Sequence, residues 1–559
     1  MRRAFALVSL LAGGPVLAAD VSGPDIPSFA EQVSRQWRIE DTKPPSESAE
    51  YLRTRDDTVE RLSLREAVAI ALAENPRVAT ERLGPPFARA NVRRSFGVFD
   101  PELEAFAELR RVVTPSSSAL SGASVVRQKD YNYGVSLEKV IRTGATVSAS
   151  FHSNELDLNS SFIGLRPQYK PELLFSVTQP LLRDFGPGLT VLLVRSAEVG
   201  SEAAYCSYRA GVTALVREVI EAYWQIVGAH EALRAVEDGL RLARALEAEN
   251  GARVRAGVLP PIAVKEAAAE AARREEQVIV ARNALDTASD RLRLLLQRNP
   301  SDTFLPRPIE PIDSPEVRTV DTDEAATLER AITGRPEVLR ARSEIENQRL
   351  LARLARNNLL PDLELKGGYG LNALSGTAVP QRDFRTGETR LSPFGGSYGD
   401  GVDRLFSDDF NSYSAGVTLT VPLGNAVAEA DFAQRRIDLQ RTELAYRQLL
   451  ADVTLEVRTA IGNVRSLSKR ITASRLAREL AEETLEQQKK RYEVGLATTK
   501  DILDFQEKLT VARAAEIHAL IGYNLSLAFL RQAEGRLLDE YDVVLERLPP
   551  PPTPIWARF

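Results

Sequence analysis

Two long stretches of this chain carry apolar residues at helical intervals. From about Thr190 to Asn250 there is no proline, and Leu233, Val236, Leu240 and Ala243 step by 3, 4 and 3. Val457, Ile461 and Val464 repeat the spacing inside a second proline-free run, from Asn425 to beyond Asp504. Sixty to seventy residues at 1.5 Å each predict helices of roughly 90–105 Å. Both runs are rich in alanine and laced with Glu, Arg and Lys, so each helix has only a narrow apolar seam to bury.

Other segments alternate with a period of two. Leu103, Ala105, Ala107 and Leu109 face one way in 101–112, with Phe106 interrupting an otherwise polar opposite face. Leu173, Phe175 and Val177 alternate with polar residues in 172–182. So do Leu363, Leu365, Tyr369 and Leu371 in 361–372, and Tyr413, Ala415, Val417, Leu419 and Val421 in 412–423. A further pair, 131–141 and 145–154, flanks the short turn Arg142-Thr143-Gly144. Strands of this length and alternation suit a membrane β-barrel with one face in lipid, or a half-buried sheet. The connections 113–130, 155–171 and 373–411 are long and polar, whereas 142–144 is short. Outer-membrane barrels place long loops outside and short turns on the periplasmic side. On that rule Tyr131, Tyr133, Tyr169, Phe410 and Tyr413 stand near the outer rim. Four or six strands are too few to enclose an open lumen, and open edges do not survive in lipid, so copies of the chain must share one barrel.

The chain repeats one plan. "ALAENPRV" (71–78) is echoed by "AITGRPEV" (331–338), and "FSVTQPLLRDFG" (175–186) by "VTLTVPLGNA" (417–426). Pro76 precedes Pro101, and Pro336 precedes Pro361, by 25 residues each. Glu218-Val219 lies 39 residues before Gly257, and Glu456-Val457 lies 39 before Gly495. The first repeat spans 61–305 and the second 320–540, each running short helix, strands, long helix, glycine break, helix. At the breaks, "RVRAGVLPPIAVKEAA" (253–268) and "RYEVGLATTKDILDFQ" (491–506), a glycine can take the left-handed conformation that ends a helix. Thr498 with Asp501 fits the [ST]-x-x-[DE] cap of a returning helix.

Composition narrows the class. Arg2-Arg3, an apolar run to Leu17 and small residues at Ala18-Ala19 predict a secretory signal over 1–19. A polar extension (20–60) follows it, and a proline-rich tail (541–559) closes the chain; the tail is expected to be exposed. No later window is apolar enough for a spanning helix. Cys206 is the single cysteine, which excludes an intramolecular disulfide. The three histidines are scattered, and no metal cluster, cofactor motif, P-loop or nucleophile elbow is visible. The net charge of −5 argues against nucleic acid.

From about 62 to 535 these features resemble the TolC family of outer-membrane efflux proteins, most specifically in "RYEVGLATTKDILDFQ", "ALAENP" and "FSVTQPLL". The resemblance implies a mainly α-helical fold with a membrane β-barrel, built from two repeats. It implies a homotrimer sharing an outer-membrane barrel above a long helical barrel in the periplasm. Such a duct is passive and needs no enzyme activity or cofactor. Its partners are outer-membrane lipid, a periplasmic adaptor and, through it, an inner-membrane RND, MFS or ABC transporter. The adaptor would meet the hairpin tips at Val254, Gly257, Val258 and Leu259, and at Val494, Gly495, Leu496 and Thr498. The family's constriction aspartates, six and nine residues past the second glycine, fall on Asp501 and Asp504. Its gate tyrosine falls on Tyr492. The carboxylate that this tyrosine bonds in the family falls on Ala263, and a basic residue of the pattern falls on Ala497. That latch cannot form as the family draws it, and the expectation is a closed state held by packing and acidic rings. The alternative reading is a secreted coiled-coil scaffold without a pore.

Overall fold

The computed structural model describes residues 60–117, 121–297, 308–318, 323–382, 387–407 and 409–558. The expected signal (1–19) and nearly all of the extension (20–60) lie outside the described residues, as do the expected repeat boundaries at 305 and 320.

The first half begins with β1 (Glu60–Leu62) and the short helices α1 (Leu64–Glu74), α2 (Pro76–Arg82) and α3 (Gly84–Ser95). Strands β2 (Glu102–Pro115), β3 (Val125–Val140), β4 (Thr146–Leu158) and β5 (Leu165–Pro180) follow, then helices α4 (Leu192–Arg255) and α5 (Ile262–Leu296). The second half holds β6 (Ile309–Pro311), α6 (Glu324–Gly334), α7 (Pro336–Asn357), β7 (Asp362–Asn372), α8 (Tyr398–Leu405) and β8 (Asn411–Thr420). It ends with α9 (Ala426–Glu493), α10 (Thr499–Ala533) and the single turn α11 (Leu537–Glu540). With 64 and 68 residues, α4 and α9 are each about 100 Å long at the usual rise. Among the described residues no helix is apolar enough to cross a membrane.

Among the described residues six strands form an antiparallel sheet of order β8-β7-β5-β4-β3-β2, the larger of the two expected numbers, while β1 and β6 pair in parallel apart from it. Several strands outrun their expected limits. β3 starts at Val125 rather than 131, because Val125 to Gln128 continue the ladder with Val112 to Pro115 of β2, and β5 starts at Leu165 rather than 172, because Leu165, Gln168 and Tyr169 pair with the short strand Ser375–Ala378. The connection 373–411 is not bare loop either. It contains α8 and a short strand, Ser375–Ala378, that pairs with β5.

Register explains the two faces. One row crosses all six strands as Leu103, Leu137, Ala149, Phe175, Tyr369 and Tyr413. Its neighbour on the opposite face runs Glu102, Glu138, Ser148, Ser176, Gly368 and Ser414. The apolar face has no protein over it: Leu103 is 69% exposed and Tyr413 86%. A polar face backed by an uncovered apolar one is the pattern of a lipid-facing barrel wall. Phe106, the exception in the polar face, lies over Gly134 and stacks on His152 with ring centroids 5.7 Å apart. A Cβ at Gly134 would meet the Phe106 ring at 2.8 Å, so the aromatic covers backbone that the glycine leaves bare.

Helices α3, α4, α5, α7, α9 and α10 form a single layer. Toward the sheet its order is α3-α4-α7-α9, and toward the glycine breaks it is α5-α4-α10-α9. α4 and α9 run through both halves while α7 and α10 stack end to end between them. Two cores pin the middle. Ala67, Val68 and Ala71 of α1 pack on Val212, Val216, Val219, Ile220 and Tyr223 of α4. In the second repeat Ala331 and Val338 pack on Val453, Val457, Ala460, Ile461 and Val464 of α9. The repeated glutamates lie at these joints: Arg77 pairs with Glu218 at 2.7 Å, and Arg335 with Glu456 at 2.5 Å. Within the first core the Tyr223 hydroxyl donates to Asp313 Oδ2 at 2.7 Å, and burial pushes its pKa well above the usual phenol value.

The tail is exposed over most of its length but docked at particular points. Arg547 pairs with Glu202, Pro554 is buried, and Ala557 is buried against Phe99 and Val194. The prolines hold the segment extended, so it follows α4 back toward the sheet instead of dangling.

The first core is the tighter test of this packing. Ile220→Ala removes a fully buried side chain. It should cost about 2–5 kcal/mol, read as a lowered midpoint in thermal unfolding of the purified protein.

Candidate functional site: the paired helix tips

Both glycine breaks close in the same way. Gly257 has φ +72° and Gly495 φ +81°, with nothing within 4 Å of an added Cβ, so backbone conformation alone selects glycine. At the first break the Val258 N–H donates to the Arg253 carbonyl at 2.9 Å and the Gly257 N–H to the Val254 carbonyl at 3.0 Å. At the second the Leu496 N–H donates to Arg491 at 2.8 Å and the Gly495 N–H to Tyr492 at 3.1 Å. Each is a Schellman motif, which satisfies carbonyls that a helix end leaves without partners.

The returning helices start differently. At the second tip Thr498 Oγ1 accepts from the Asp501 N–H, and Asp501 Oδ2 accepts from both the N–H and the hydroxyl of Thr498 at 2.8 Å. This capping box holds the Asp501 carboxyl below the usual carboxylate range, chiefly through the Thr498 N–H and then its hydroxyl. Asp504, one turn on, is exposed and has no hydrogen bond or ion pair among the described residues. At the first tip α5 starts after Pro260-Pro261 with no side-chain cap. Proline needs no partner for an N–H it lacks.

The tips are tied together by a residue that the sequence reading passed over. Asn250 is fully buried. Its amide donates to the Ala263 carbonyl at 3.2 Å and to Thr499 Oγ1 at 3.1 Å, and its Oδ1 accepts from the Tyr492 hydroxyl at 2.5 Å. Tyr492 and Thr499 also share a bond of 3.2 Å. One amide therefore joins α4, the start of α5, the end of α9 and the start of α10. Arg253 adds a second tie. Its guanidinium lies 4.7 Å from the Tyr492 ring centroid, donates to the Tyr492 carbonyl at 3.4 Å and pairs with Glu249 at 2.6 Å. Leu246, Tyr492 and Ile502 enclose the group, with Leu259, Ala497 and Leu503 against them. Within one chain the tie uses other groups than the family pattern: Ala263 offers its carbonyl in place of a carboxylate, and Asn250 bridges to Tyr492. A signal was present. The seam 233, 236, 240, 243 continues at 3 and 4 to Leu246 and Asn250, which sets a polar residue on an apolar stripe.

Of the other expected tip residues, Val258, Val494 and Leu496 are about 70% exposed, Gly257, Gly495 and Thr498 are exposed, and Val254 and Leu259 are half-buried. Three apolar side chains thus stand in the open on the two turns. Among the described residues there is no cluster able to hold a metal.

The family model described as outer membrane efflux protein matches residues 187–297 and 327–536, more than half of the chain. The chain belongs to that family. The match covers both long hairpins, including both tips and the joints at Glu218 and Glu456. The outer membrane protein TolC of Vibrio cholerae is 26% identical over 359 residues, covering 62% of this chain and 74% of that protein. The fold resembles the CmeC outer membrane channel of Campylobacter jejuni, with a TM-score of 0.61, 16% identity and coverage of 85% and 86% of the two chains. It also resembles VceC of Vibrio cholerae, with a TM-score of 0.58, 18% identity and coverage of 84% and 96%. As a member of this family the chain is an outer-membrane efflux channel of a Gram-negative bacterium. Its strands stand in the outer membrane and its helices in the periplasm. The family is one of transport channels, not of enzymes.

Asn250→Ala should loosen the tips without unfolding the body. It strips the Tyr492 and Thr499 hydroxyls of a buried partner, a local cost of about 1–3 kcal/mol. Amide exchange should quicken over 246–263 and 490–506 while the central cores keep their protection. The Asp501 cap makes a separate prediction with a fixed sign. A carboxyl whose pKa is lowered by folding stabilises fully above its unfolded value of about 3.9 and loses that contribution as pH falls through the folded value. The excess exchange of Asp501→Asn over the parent at the start of α10 should be full at pH 7 and vanish in acid.

Proposed function

We propose that this channel is a homotrimeric, passive exit duct that docks through its helix tips to a periplasmic adaptor and is gated just inside them. The observation that carries the reading is that the chain has two free sides, and each runs through both layers. β2, α3 and α5 make up one side, and β8 and α9 the other. Both carry uncovered apolar residues: Phe87, Ile279 and Val280 on the first, Leu423, Val427 and Leu444 on the second. A head-to-tail contact between unlike sides closes a ring when its rotation permits. β2 and β8 have opposite senses, so the sheets join antiparallel across the seam. Three copies of six strands give about eighteen, a size that leaves an aqueous lumen.

The exposed Val258, Val494 and Leu496, with Gly257, Gly495 and Thr498 between them, supply the adaptor surface, supported by Val254 and Leu259. An RND, MFS or ABC transporter in the inner membrane would supply the energy, since the chain carries no nucleotide motif. Asp501 and Asp504 face the pore as two acidic rings, which favour cations and are blocked when a divalent ion binds. Asp501 holds its helix cap at the same time. Tyr492, fixed by Asn250, keeps each pair of hairpins closed at rest.

Planar-bilayer conductance of the purified trimer tests the gate. Divalent cations should reduce the current of the parent, and Asp501→Ala with Asp504→Ala should abolish that block. A parent pore indifferent to divalents, or a double variant blocked as before, overturns the ring assignment.

A further inference from the structure

The C-terminal strap has contacts at both ends and an uncovered apolar surface at its tip. It leaves the body at α11, where Tyr541, Val543 and Leu545 pack on the first core. The Tyr205 hydroxyl donates to the Leu545 carbonyl at 3.5 Å, and the Arg547 guanidinium lies 5.6 Å from the Tyr205 ring centroid while pairing with Glu202. The prolines then run over Pro85 and Arg89 of α3 and Ser201 of α4. The last turn, Ile555–Arg558, is docked as firmly. Ala557 is 2% exposed between Phe99 and Val194, and Trp556 Nε1 donates to Asp100 Oδ1 at 2.5 Å. That bond is charge-assisted and fixes the indole two residues before β2 begins. Yet Ile555 is 68% exposed and Trp556 42%. The structure spends a buried alanine, an indole bond and an ion pair on holding two apolar side chains in the open.

Their place in the fold says what covers them. β2 is a free edge of the sheet, and its first residue, Glu102, is at the periplasmic end. The other free edge is β8, which ends at Thr420 on the same side of the membrane. When two copies join β2 to β8, the strand end of the next copy comes down beside Asp100 and the strap's last turn. Its following residues are Val421, 51% exposed, and Leu423, fully exposed.

We propose that the strap is an assembly element: Ile555 and Trp556 receive Val421 and Leu423 of the next copy, sealing the seam at the base of the barrel. The inference rests on the ring of copies proposed above and adds a specific contact to it. The strap thereby ties three things at one point: the first core, the start of β2 and the neighbouring chain.

The test uses full-length protein with Cys206→Ala, carrying Ile555→Cys and Leu423→Cys, oxidised in outer membranes. Covalently linked dimers and trimers on a non-reducing gel are expected, and neither single-cysteine protein should give them. Truncation after Leu548 should lower the temperature at which the detergent-solubilised trimer dissociates. The mass of the solubilised assembly separates the two readings. A trimer by mass without the cross-link, and with unchanged dissociation after truncation, overturns the strap inference alone. A single-chain mass overturns the ring and the inference together. Quenching of Trp556 fluorescence by brominated phospholipid, with Trp37→Phe and Trp224→Phe removing the other two indoles, would give the strap to lipid and also overturn it.

Discussion

Backbone N–H and C=O groups have no water to bond in hydrocarbon, so a sheet that stands in a bilayer must have no edges. Here β2 and β8 leave two edges free, and the helical layer below repeats the vacancy with α3 and α5 on one side and α9 on the other. The apolar row from Leu103 to Tyr413 forces the strands into lipid, and lipid forces the edges to be joined. Helix length, seam position and the placing of the short helices all serve a wall that is one layer thick and unfinished in a single chain.

Duplication supplies that wall economically. The same joint, a short helix laid across the middle of a long one, is built twice around Glu218 and Glu456. The same Schellman turn is built twice at Gly257 and Gly495. The copies diverge where they meet. The first tip starts its return helix on Pro260-Pro261, the second on the Thr498–Asp501 box, and Asn250 of the first copy reaches Tyr492 and Thr499 of the second. Identical turns would give no preferred arrangement of two hairpins; a single unlike polar group between them does.

The sequence made the periodic parts of this structure readable. Helical stepping located α4 and α9, period-2 alternation located the strand centres, and paired landmarks located both tips. Strand ends were harder. Val125 to Asp130 and Leu165 to Lys170 mix charged and apolar residues, and only their ladder partners show that they belong to β3 and β5. The tie at the tips lay outside the family's pattern, because its oxygen comes from a residue seven positions before the first glycine instead of six after it. The docking points of the strap were hidden for a related reason. A run of prolines buries little by itself, and the partners of Arg547 and Trp556 are more than three hundred positions away along the chain. Local pattern carries no information on contacts of that span.

Asn250 has one further consequence. A carboxylate in its place would carry a charge that comes and goes with acidity, and the periplasm follows the acidity of the surroundings. An amide has no such proton to lose. Asn250 therefore ties the two tips through a group whose charge does not change with the acidity of the medium.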